Sequence, residues 1–105
     1  MKRSRVFKKL PKEVQVGRAT YQIVRGMPEK DHDGLVIFDD RIIWIDEELD
    51  DDQAETTLLH ELIHVIAHHE KLPLSEKKVL ALEKGLYTLL KKNGWKIVRN
   101  SFRSK

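Results

Sequence analysis
The residues of this chain best suited to chemistry are His60, Glu61 and His64, in the run His60-Glu61-Leu62-Ile63-His64. Histidines four apart on a helix stand one above the other on a single face, so their imidazoles can converge on one metal ion. A carboxylate beside such an ion is placed to take a proton from an attacking water. The pattern predicts a hydrolase with His60 and His64 as metal ligands and Glu61 as general base. Zn2+ is the expected ion, because imidazole is a poor ligand for magnesium or calcium. Leu58, Leu59, Leu62, Ile63, Val65 and Ile66 flank the motif, which predicts a largely buried helix. Two buried histidines on one face need a partner. The plainer alternative is a pair of core histidines satisfied by local hydrogen bonds.

Catalytic zinc takes three protein ligands and keeps one open position. The chain has no cysteine, so an acid or another histidine must be the third. Glu83 leads. Val79, Leu82, Leu86, Leu89 and Leu90 predict the buried stripe of a second helix, and Glu83 falls on it. A short connection at residues 71–74 makes the two helices antiparallel neighbours, which sets residue 83 opposite the middle of the motif. Glu76 lies on a similar face but nearer the connection, and it is also explained as a first-turn acid after Ser75. Glu70 stands six residues after His64, yet Ala67 favours a continued helix where a turn back to the metal would need glycine. His68 and Tyr87 are candidate donors to a developing oxyanion.

The elements that must position these residues read as α+β. Glu13–Val16 and Thr20–Val24 alternate around Gly17-Arg18-Ala19, a hairpin signature. Residues 25–34 read as a loop. Leu35–Phe38 and Ile42–Ile45 predict a second hairpin around Asp39-Asp40-Arg41, with Ile42–Ile45 as an edge strand bordering the cleft, open to an extended peptide. Asp52-Gln53-Ala54-Glu55 resembles a capping box for a helix from about residue 52 to about residue 70. Ser75 caps a second helix that stops at Asn93-Gly94. The expected architecture is a small antiparallel sheet of two hairpins packed on an antiparallel pair of helices. Trp95–Arg99 is a final strand or a packed tail. The expected organisation is a flexible basic arm over 1–10, a single domain over 11–99 and a basic tail over 100–105.

The 105 residues suit one compact domain. The absence of cysteine excludes a disulfide framework and a thiolate metal site. No apolar run follows the basic N-terminus and none is long enough to span a membrane, so a cytoplasmic protein is expected. Charge is segregated. Residues 1–30 carry +7 (nine Lys and Arg, two Glu), residues 31–70 carry −12 (one Arg, thirteen acids) and residues 71–105 carry +8 (ten Lys and Arg, two Glu). Basic flanks can meet nucleic acid or an acidic protein, which keeps open a second function: a non-catalytic, metal-stabilised binding module. Aromatic residues are sparse, with Trp95 and Phe102 alone in the basic tail, so single-strand binding is not favoured.

The order of Ile42-Ile43-Trp44-Ile45-Asp46, an acidic spacer, Thr57-Leu58-Leu59-His60-Glu61-Leu62-Ile63-His64 and Leu82-Glu83-Lys84-Gly85-Leu86-Tyr87 resembles small phage and prophage HExxH proteins of the zincin class. These are related more loosely to the ImmA/IrrE-type metallopeptidases. The resemblance spans roughly residues 35–95, and only the HExxH segment is strongly specific. It implies a zincin-like fold, zinc on His60 and His64, Glu61 as general base, and a glutamate on the following helix, best matched by Glu83, as third ligand. It implies peptide-bond hydrolysis in a peptide or protein substrate such as a regulator.

Overall fold
The computed structural model describes residues 10–26 and 31–94. The arm expected over residues 1–10 (Leu10 apart), the element expected at Trp95–Arg99 and the tail over 100–105 lie outside the described residues. Strand β1 (Glu13–Val16) pairs antiparallel with β2 (Ala19–Arg25) through Gly17 and Arg18. Gly17 has a φ of 61°, the left-handed value that two-residue hairpin turns favour at their first central position. Along β2 the alternation is clean. Ala19, Tyr21 and Ile23 are buried, while Thr20 and Gln22 face solvent. Strand β3 (Gly34–Ile37) pairs antiparallel with β4 (Ile42–Ile45).

Both hairpins form, and the α+β class holds, but the sheet is mixed rather than antiparallel. Its order is β1-β2-β4-β3, and β2 runs parallel to β4 with Ile23 opposite Ile43. A parallel pair needs a crossover; here it is the segment from Gly26 onward together with β3 itself. Burial explains the placement. Ile43 and Ile45 are fully buried, so the strand that carries them sits inside the sheet, while β3, half-buried throughout, takes the edge. The edge beside the motif is therefore β3, not Ile42–Ile45 as the sequence led us to expect. Arg25 ties the next turn down, its guanidinium donating to the carbonyls of Asp46, Glu47 and Leu49 at 3.1–3.3 Å.

Helix α1 (Asp51–His69) has its N-cap two residues before the one suggested by sequence, at Asp50 instead of Asp52. The box is Asp50 and Gln53. The Gln53 N–H donates to Asp50 Oδ1 at 2.8 Å and the Asp50 N–H donates to Gln53 Oε1 at 3.3 Å. The helix is buried on two sides. Leu58 and Val65 join Tyr21, Ile43 and Ile45 over the sheet, whereas Leu59 and Ile63 pack on Val79 of α2. Helix α2 (Glu76–Lys92) is capped by Ser75, which accepts from the Lys78 N–H, and ends at Asn93 and a left-handed Gly94.

The buried line of α2 is Val79, Glu83, Tyr87 and Leu90, not the leucine stripe anticipated. Val79 and Leu90 belong to it, but Leu82, Leu86 and Leu89 are exposed. Among the described residues helix α2 packs on α1, which covers a seam of side chains spaced four, four and three residues apart. Cross-helix pairs Glu55–Tyr87, His60–Glu83 and His64–Glu76 descend on one helix as they rise on the other, which makes the helices antiparallel. Glu55, only 2% exposed, accepts a 3.0 Å hydrogen bond from the Tyr87 hydroxyl. Tyr87→Phe removes a donor from a buried carboxylate and is expected to cost about 1–3 kcal/mol, seen as a melting temperature lower by several degrees.

Candidate metal centre
Helical spacing sets His60 and His64 on one face of α1, their ring centroids 4.9 Å apart. Across the seam, the first turn of α2 carries Glu76. His60 Nε2 lies 3.0 Å from Glu76 Oε2, and His64 Nε2 lies 3.0 Å from Glu76 Oε1. One carboxylate thus spans both imidazoles. One ligand atom from each of these three residues lies within 4.8 Å of the other two. Tetrahedral ligands about 2.0–2.2 Å from a zinc ion stand roughly 3.3 Å from one another. The donor set and its spacing therefore fit a divalent ion.

Glu83, expected as third ligand, lies on the other side of the His60 ring. Its Oε1 is 3.0 Å from Nδ1. Both ring nitrogens of His60 thus face a carboxylate, Nδ1 toward Glu83 and Nε2 toward Glu76. Glu70 is the C-cap of α1 and exposed, since the helix continues through Ala67 to His69. His68 stacks on Phe38 with centroids 4.0 Å apart, and the Tyr87 hydroxyl is turned to Glu55. Neither lines the cavity that holds His60 and His64.

That cavity has a volume of about 640 Å³. One wall is helical, with Thr57, His60, Glu61 and His64 from α1 and Glu76 and Glu83 from α2. The other is the segment Asp31–Gly34 leading into β3. Spacing gave no signal for Asp31, His32 or Asp33, because only the turn before β3 brings them here. Gly34 did carry a signal, since glycine at the start of a strand marks a close backbone approach. A Cβ added at Gly34 would lie 2.6 Å from Thr57 Cγ2 and 3.0 Å from Glu61 Oε2.

Glu61 is 8% exposed. Burial pushes its carboxyl above the ordinary carboxylate value; the charges of His60 and His64 oppose that rise, Glu76 adds to it, and His32 opposes it weakly. A raised pKa makes the group a better proton acceptor near neutrality.

The fold and site define a class: a small α+β domain with two helical histidines and a facing carboxylate able to hold a metal ion. Residues 18–91, most of the chain, match the IrrE N-terminal-like domain, a peptidase family, and the chain belongs to that family. No curated protein and no solved structure matches it. The relation to the ImmA/IrrE-type metallopeptidases is thereby shown. Among the described residues no helix is long and apolar enough to cross a membrane.

Gly34→Ala is expected to destabilise the fold by about 1–3 kcal/mol through overpacking. Thr57→Ser, which deletes Cγ2, should recover part of that loss in the double variant, as read by denaturant titration. The Glu61 shift gives a second expectation. Its folded pKa lies above the unfolded one, so the protonated form favours folding and that advantage is lost as pH rises through the folded pKa. In metal-free protein, Glu61→Gln should therefore melt higher than wild type at neutral pH. The difference should shrink toward zero as pH falls through the carboxylate range.

Proposed function
We propose that this chain is a zinc-dependent peptidase that hydrolyses a peptide bond in a peptide or protein substrate. His60, His64 and Glu76 hold the ion, Glu61 is the general base, and Glu83 fixes the ring of His60. The observation that carries the reading is the single Glu76 carboxylate shared at 3.0 Å by both Nε2 atoms. It favours Glu76 over Glu83 as the third ligand, because Glu83 meets the nitrogen that faces away from the ion's position. Bound there, zinc would polarise the substrate carbonyl and make hydroxide available near neutral pH. Glu61, beside both histidines and largely shielded from solvent, takes the proton of the attacking water and passes it to the leaving amine. Glu83 holds Nδ1–H of His60, which keeps Nε2 in its unprotonated, ligating form. Among the described residues β3 is an edge strand; it begins at Gly34, against Glu61, and would offer backbone hydrogen bonds to an extended peptide.

Metal analysis of the purified protein tests the coordination, and cleavage of a mixed quenched-fluorescent peptide library tests the activity. One zinc per chain is expected, lost in His60→Ala and Glu76→Ala. Glu83→Ala should keep the stoichiometry and weaken affinity about 10–100-fold. Glu61→Gln should keep zinc and fold while abolishing cleavage. Cleavage retained in Glu61→Gln would end the mechanism. Zinc binding with no cleavage by wild type would leave the metal-stabilised binding module.

A further inference from the structure
The ligands and the base all come from α1 and α2, so they form one side of the cavity. Hydrolysis of a peptide bond places negative charge on the carbonyl oxygen, and a donor aimed at that oxygen lowers the barrier. The wall facing the helices is the segment Asp31–Gly34. Asp31 and Asp33 are acidic and would repel such an oxygen. Gly34 has no side chain. His32 is the residue of this wall whose side chain can donate an N–H.

His32 is also held in place. On its C-terminal side, the Asp33 carbonyl accepts the Asp46 N–H at 2.8 Å and Gly34 sits in register with Ile45, so this end of the segment is pinned to the sheet. On its N-terminal side, Asp31 adopts a φ of 72°. Left-handed backbone is uncommon away from glycine, aspartate being among the residues that tolerate it, and it persists where the surroundings fix it. His32 therefore stands on the cavity wall beside a residue pinned to the sheet. His32 and Glu61 line the same cavity. His32 is not one of the three residues, His60, His64 and Glu76, whose ligand atoms cluster.

We propose that His32 is a further catalytic residue, donating a ring N–H to the carbonyl oxygen of the peptide bond from the wall opposite the helices. The proposal rests on the peptidase reading above and adds a substrate contact to it. The helices supply the ligands and the base, while the turn before β3 supplies the donor for the charge that develops on the substrate.

The test uses the zinc-loaded full chain with three probes: the peptide library, a phosphinic peptide and acetohydroxamate. The phosphinic peptide carries two oxygens on a tetrahedral phosphorus and mimics the attacked carbonyl; acetohydroxamate engages the metal and little else. His32→Ala is expected to lower kcat on a library hit about 10²-fold with KM unchanged. It should weaken the phosphinic peptide by a similar factor in calorimetry. Zinc stoichiometry, acetohydroxamate affinity and melting temperature should stay at wild-type values. His32→Asn, which keeps an N–H donor, should recover part of both losses. Unchanged kcat and phosphinic affinity in His32→Ala overturn the proposal and leave the peptidase reading standing. Loss of zinc in His32→Ala also overturns it, by making His32 a ligand. A zinc-loaded wild type that neither cleaves the library nor binds the phosphinic peptide overturns the peptidase reading, and this proposal falls with it.

Discussion
Burying two imidazoles in the seam between two helices is unfavourable unless each ring nitrogen finds a partner. The α2 side of the seam supplies partners for three of the four ring nitrogens. Glu76 meets both Nε2 atoms, and Glu83 meets Nδ1 of His60. The carboxylates stand at different depths. Glu76 is 62% exposed at the mouth, whereas Glu83, 22% exposed, sits further along the seam. A carboxylate at the mouth can shift to admit an ion. One deeper in the seam is better suited to hold a ring in a fixed orientation. The relative placement of α1 and α2 is thus tied to polar contacts as well as to Leu59, Ile63 and Val79.

The sheet contributes by close approach. Gly34 lets β3 run against Thr57 and Glu61 with no side chain between them. Glu61 is shielded as a result, and burial is the largest influence on its carboxyl. The same approach brings the turn at Asp31–Asp33 over the helices and closes the second wall of the cavity. The acidic middle of the sequence is largely accounted for by local roles. Asp50 caps α1, Asp51 and Asp52 face its positive end, and Asp46 accepts the Glu48 N–H.

Much of this was legible in the sequence, for reasons that are local. HExxH requires helical spacing and nothing distant. Gly17, Ser75 and Asn93-Gly94 mark turns and caps whose physics is complete within a few residues. Both hairpins, both helices and the position of Glu83 on the buried line of α2 follow from such signals. The capping box was misplaced by two residues because three consecutive aspartates offer equivalent carboxylates. Only the backbone geometry selects Asp50.

By itself, then, the sequence determined the elements, the class of the fold and the pair of histidines with their neighbouring base. Tertiary structure decided how the hairpins join, which strand forms the edge, and which glutamate meets which nitrogen of His60. Those choices depend on Ile43 and Ile45 competing for the interior of the sheet and on the rotation of α2 against α1. Periodicity along one helix states which residues share a face, but not which atom on that face a neighbouring helix will meet.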